Sequence, residues 1–135
     1  MIKLAEAQGA SYLQAVGLTM KVLFMSNLTD IYGDIPYKEA FMAEEGIKQP
    51  VFDSQENVYQ QMCAELEEAN RIYASKPYVE EKNRKLDGMY NFDMTKWQKF
   101  NNSLYLRLLC RISGRKETIV DGTHNVAQKI TEIVH

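Results

Sequence analysis

The run Asp30-Ile31-Tyr32-Gly33-Asp34-Ile35-Pro36-Tyr37 limits what this chain can fold into more than any other stretch. It ends a long apolar-patterned segment with a turn whose backbone two residues fix. Gly33 tolerates the positive φ that side-chain-bearing residues resist, and Pro36 locks its own φ while pushing Ile35 into an extended conformation. A rigid, shaped loop is therefore expected here, not a linker. Before it, Leu13, Val16, Met20, Leu23, Phe24 and Leu28 recur at helical spacing, which predicts one helix over residues 4–28 with those side chains on its buried stripe. Gly9 and Gly17 weaken such a helix and suit a close approach by a second one.

Beyond the loop, residues 38–52 carry Gly46, Pro50 and the Glu44-Glu45 pair with little periodicity, and read as a connection. Asp53-Ser54-Gln55-Glu56 then forms a capping-box pattern with Asp53 as the acceptor, opening a helix whose apolar face is Val58, Met62, Leu66, Ala69 and Tyr73. Pro77 sets its end near Ser75. Residues 77–93 are polar and charged, and read as an exposed excursion. A third helix is predicted over 95–114, with Trp97, Phe100, Leu104, Leu108 and Ile112 on one stripe and Leu106, Leu109 and Cys110 widening it. After the Asp121-Gly122 turn, Val126, Ile130 and Ile133 mark a shorter last helix. Four helices without alternating strand patterns predict an all-α arrangement of antiparallel hairpins, one helical domain over 1–135.

Charge and cysteine usage exclude several function classes. The 16 basic and 18 acidic side chains are mixed along the sequence, so no surface for a nucleic-acid backbone is expected. No segment has the uninterrupted apolar length of a membrane span. Residues 1–6 show no basic region leading into an apolar run and a cleavage site, so no export signal and no lipid anchor are read there. Cys63 and Cys110 lie within helical patterns, away from metal or redox spacing, and read as buried free thiols, with a disulfide between them left open.

The ordered set of motifs resembles the SusD/RagB family, the SusD-like outer-membrane nutrient-binding lipoproteins. It comprises a helix, Tyr32-Gly33-Asp34-Ile35-Pro36, the opening Ser54, Glu56, Val58 and Tyr59, then Asp87-Gly88-Met89-Tyr90, and Lys96-Trp97 with Phe100, Asn102-Ser103-Leu104 and Arg107. The match is strongest over residues 4–114. The resemblance implies a tetratricopeptide-like helical scaffold, although no clean repeat near 34 residues is present to show one. It also implies binding without catalysis, no cofactor, an oligosaccharide or other polymer-derived nutrient as ligand, a TonB-dependent (SusC-like) transporter as partner, and the outer-membrane cell surface as location. Family members are considerably longer, so the chain reads as a truncated portion in which scaffold outweighs ligand site. The other reading is a helical protein-protein interaction scaffold with no small-molecule ligand. An apolar side of the first or third helix is expected to lie exposed and to favour self-association.

Few residues carry a chemical signal of their own. Arg107 and Arg111 lie one helical turn apart among apolar neighbours, which predicts partly buried guanidinium groups paired with Asp30 and Asp34 of the loop. That network fixes the loop, or alternatively meets a ligand. Tyr37, Tyr78 and Tyr90 fall in expected loops and are the candidates for stacking on sugar rings, whereas Tyr32 and Trp97 are expected in the core. His124 and His135 are the only histidines, and Asp30 with Asp34, or Asp87 with Asp93, lacks calcium-loop spacing, so no metal and no catalytic residue is assigned. Glu44-Glu45 and Glu67-Glu68 are adjacent and do not converge, as paired acid and base work requires.

Overall fold

The computed structural model describes residues 2–115 and 126–134, and all of its regular elements are helical. They are α1 (Ile2–Ala7), α2 (Ser11–Tyr32), α3 (Gln55–Ala74), α4 (Glu81–Arg84), α5 (Met94–Arg111) and α6 (Val126–Val134), with short 3-10 turns at Ala43–Glu45 and Ser113–Arg115. The all-α fold matches expectation; several boundaries differ. The first helix is two helices, because Gly9 takes φ 68° and breaks the ladder. α2 then runs on to Tyr32, into the motif itself. Gly33 ends it with φ 76°, its amide donating to the Thr29 carbonyl at 2.7 Å. Ile35 is extended, and its carbonyl accepts from the Asp53 amide at 3.0 Å in an isolated bridge.

That bridge explains why the helix cap shifts by one residue. The Asp53 carboxylate accepts from the Tyr37 amide at 3.0 Å and the Lys38 amide at 2.8 Å, so it closes the neck of the loop. Ser54 caps α3 in its place, its hydroxyl accepting from the Asn57 amide at 3.3 Å. α5 starts behind the Asp93 cap and stops at Arg111, three residues short of Gly114, because Ser113–Arg115 tightens into a 3-10 turn. The Asp121-Gly122 turn, His124 and His135 lie outside the described residues.

α3 packs against both α2 and α5. Gln55 meets Thr29, Glu65 meets Lys21 and Tyr73 meets Thr19, which makes α2 and α3 antiparallel. Asn101 meets the Leu66 carbonyl and Gln98 meets Asn70, which makes α3 and α5 antiparallel too. α2 and α5 therefore run parallel, with Thr19 against Asn101 near the middle and Asp30 against Arg111 at one end. Val22, Met25, Val58, Met62, Leu66, Leu104 and Leu108 fill the core between the three, and a second cluster gathers Ala15, Leu18, Ala69, Tyr73 and Phe92 around Trp97.

The face that α2 buries follows the expected stripe only in part. Val16 is buried and Leu13, Met20 and Leu23 pack half-buried against the core, joined by Ala15, Leu18, Thr19, Val22, Met25, Ser26 and Thr29, whereas Phe24 is 64% exposed and Leu28 38% exposed. Hydroxyls can serve as core here because each reaches a carbonyl: Thr19 to that of the Asn101 side chain, Ser26 to Leu23 and Thr29 to Gly33. Tyr32, expected in the core, is 71% exposed because it follows Ile31 around the same outer side.

The polar excursion is also tighter than expected. Asp87 is buried and accepts from the Met89 amide at 2.9 Å, the Phe92 amide at 2.9 Å and the Trp97 indole at 2.7 Å. Val79 and Phe92 are buried with it. Both cysteines are free thiols, Cys63 buried and Cys110 exposed, so the expected burial fails for Cys110. The widened stripe of α5 brings only Leu109 of its three flanking residues fully inside.

Candidate functional site: a groove where three helix ends meet

The antiparallel and parallel pairings bring the carboxyl end of α2, the amino end of α3 and the carboxyl end of α5 to one end of the scaffold. A groove of about 640 Å³ opens between them, lined by Asp30, Asp34, Ser54, Gln55, Glu56, Tyr59, Gln60, Arg111, Ile112 and Gly114. Asp30 is its anchor. One carboxylate oxygen accepts from the Tyr59 hydroxyl, and the other meets an Arg111 guanidinium nitrogen at 3.1 Å. Burial first, and then the hydrogen bond to Asp30, push the Tyr59 hydroxyl well above the ordinary tyrosine range. Tyr59 therefore stays protonated and donates.

Asp34 has a different task. Its carboxylate accepts from the Gln55 amide at 2.9 Å, while Ser54 takes the Asn57 amide, so two donors of the first turn of α3 are already satisfied. The Gln55 side chain donates to the Thr29 carbonyl at 3.1 Å, tying α3 to the end of α2. The loop itself is held from behind: the Tyr37 hydroxyl donates to Glu65 at 2.5 Å, and Lys21 meets the same carboxylate at 2.7 Å. The groove thus combines positioned carboxylates, amides and one guanidinium, which suits hydrogen bonding to a polar ligand. Among the described residues, no group of three His, Cys, Asp or Glu is placed to hold a metal ion.

The family model described as "Starch-binding associating with outer membrane" matches residues 1–134. The chain belongs to the SusD-like family. A SusD homolog from Bacteroides fragilis NCTC 9343 is 32% identical with a TM-score of 0.80, covering 96% of this chain and 26% of its own. A Bacteroides vulgatus ATCC 8482 protein, described as an outer-membrane protein with a suggested part in nutrient binding, is 31% identical with a TM-score of 0.79, covering 91% of this chain and 26% of its own. A SusD homolog from Bacteroides ovatus ATCC 8483 is 28% identical with a TM-score of 0.78, covering 91% of this chain and 24% of its own. No curated protein matches. The SusD-like chain thus spans about a quarter of the length of these solved relatives. The family match also runs past residue 114, where the motifs fade.

Of the four ion-pair candidates in the SusD-like chain, the structure joins Asp30 and Arg111. Arg107 is a correction: it is exposed, because on α5 the inward positions at its level are Leu104, Tyr105 and Leu108. Arg111 is itself 47% exposed, and Asp34 caps α3. Tyr37 is a second correction, since it is buried with its hydroxyl on Glu65 and has no face to offer a sugar. Tyr90 packs its ring edge-on against Trp97 at 5.3 Å. Tyr78 is exposed, and neither it nor Tyr90 lines the groove. Sequence reasoning missed Gln55, Tyr59 and Gln60 as groove residues. The capping pattern at residues 53–56 marked the right helix end, and the expected pairing of Arg111 with the loop marked the right end of α5, whereas uncharged Gln55, Tyr59 and Gln60 gave no comparable signal.

Proposed function

We propose that this chain is the scaffold-bearing portion of a nutrient-binding component at the outer-membrane cell surface, which captures oligosaccharide and passes it to a TonB-dependent, SusC-like transporter. No bond is made or broken in that task, and the protein is not an enzyme. The observation that carries the reading is the family match over residues 1–134, on a helical scaffold superposing on SusD homologs. Attachment to the membrane would come from a lipid anchor, as the resemblance to outer-membrane lipoproteins implies. The test is a thermal-melt screen against plant, host and microbial oligosaccharides, because a ligand of the native state raises Tm by mass action. An upward shift with at least one glycan is expected; flat melts throughout, with no co-purifying transporter, would refute it.

The outward side of α2 favours a second reading. Phe24, Leu28 and Ile31 lie exposed on it at helical spacing, as a helical protein-protein scaffold without a small-molecule ligand would require. Co-purification with a transporter together with flat melts in every sugar would select this reading.

A further inference from the structure

We propose that the groove between α2, α3 and α5 binds the hydroxyl edge of a neutral oligosaccharide and rejects acidic ones; the inference rests on the capture function proposed above. Its volume of about 640 Å³ falls within the range of small-molecule sites. Arg111 is held in place by Asp30, which Tyr59 holds in turn, yet the arginine side chain is still 47% exposed. A guanidinium carries five donors in one plane, and the contact with Asp30 leaves donors for a ligand's hydroxyl oxygens. Asp34 and Glu56 are exposed carboxylates in the lining, and Asp34 uses one oxygen on the Gln55 amide. The remaining oxygens accept from sugar O–H groups, which donate and accept at once.

Charge sets the discrimination. Among the described residues of the lining, three carboxylates face a single guanidinium, and Asp30 already neutralises that guanidinium. The amino end of α3 offers an anion little compensation, because the Gln55 and Asn57 amides are occupied by Asp34 and Ser54. A uronate or sulfate group entering the groove meets three carboxylates and one guanidinium whose charge Asp30 already balances, whereas a hydroxyl pair carries no charge to repel. Tyr59, the one aromatic among the described residues of the lining, is buried beneath the anchor carboxylate, so recognition runs through hydrogen bonds and not through ring stacking.

The test is an amide NMR titration of the 135-residue chain with maltohexaose, xylohexaose and mannohexaose against oligogalacturonate, and with chitosan oligosaccharide as a cationic control. At least one neutral hexamer is expected to shift amides at Gln55, Glu56, Gln60 and Arg111, with oligogalacturonate at least about tenfold weaker. Asp34→Asn combined with Glu56→Gln should narrow that gap, and Arg111→Gln should weaken the neutral ligand about tenfold while the spectrum stays dispersed. If Arg111→Gln unfolds, Gln60→Ala serves in its place. Oligogalacturonate binding as tightly as the neutral hexamers, or chitosan alone binding, overturns the charge argument. A neutral glycan that binds elsewhere overturns this site and leaves the capture function standing; no glycan perturbing any amide overturns both.

Discussion

At the scale of single residues, the clearest consequence of the geometry is at Asp87. Burial alone would raise its pKa, but the Phe92 and Met89 amides and the Trp97 indole donate to it and hold the carboxyl below the usual range. A depressed folded pKa stabilises the protein above the unfolded value near 4, and that contribution is lost as pH falls through the folded value. Asp87→Asn removes one acceptor oxygen and turns an NH₂ toward donors, so it should cost about 2 kcal/mol at pH 7. Urea melts should then show the variant and the parent converging below about pH 4; an equal gap at pH 7 and pH 3 would contradict the assignment. The two arginines separate in the same way. Arg107→Ala should change stability by less than about 0.5 kcal/mol, whereas Arg111→Ala, which leaves Asp30 partly buried and unpaired, should cost about 1 kcal/mol in the same melts. Side-chain fates of this kind were hard to read from sequence. Tyr32 and Tyr37 sit five positions apart in one motif and exchange their expected places, because Asp53 folds the chain back at Tyr37 from a distance that local pattern does not encode.

At the scale of elements, helix type and order were legible because capping residues, prolines and apolar spacing act locally. Which face of α2 would be buried was not, because this helix is apolar on both sides. Between Glu6 and Asp30 its only charge is Lys21, and that side chain is engaged by Glu65 on α3. With Thr19, Ser26 and Thr29 on the inner face and Phe24, Leu28 and Ile31 on the outer one, hydropathy placed Val16 correctly but put Phe24 and Leu28 on the wrong side. A helix apolar all round is ordinarily covered on all sides. The chain is therefore expected to self-associate through α2, and Phe24→Glu with Leu28→Glu should shift its sedimentation toward monomer. The same double variant should leave the unfolding free energy within about 0.5 kcal/mol, as for surface positions generally. A loss above about 2 kcal/mol would mean that these side chains belong to the core after all.

At the scale of the whole molecule, the groove exists only because α2 and α5 run parallel with their carboxyl ends level, and a small polar cluster sets that register. The Tyr73 hydroxyl meets Thr19 at 2.9 Å, Thr19 reaches the Asn101 carbonyl oxygen at 2.9 Å, and the Asn101 amide donates to the Leu66 carbonyl at 3.0 Å. Thr19 of α2, Leu66 and Tyr73 of α3 and Asn101 of α5 are thus tied by directional bonds, where apolar contacts alone would tolerate a slip by a turn. Asn101→Ala opens a cavity and removes the bonds to Thr19 and to the Leu66 carbonyl, so it should cost about 3 kcal/mol. Thr19→Val and Asn101→Leu each strand a partner, but together they remove both ends of one bond. The double variant should consequently be destabilised by about 1 kcal/mol less than the two single losses combined. Strict additivity in that cycle would show that the two side chains do not act as a unit. If they do, the Asp30 to Arg111 contact is the sensitive readout, because it lies at the far end of the same helix pair. Loosening the register at residues 19 and 101 should broaden the Arg111 side-chain resonance at temperatures well below the lowered Tm, and the groove should lose its shape before the scaffold loses its fold.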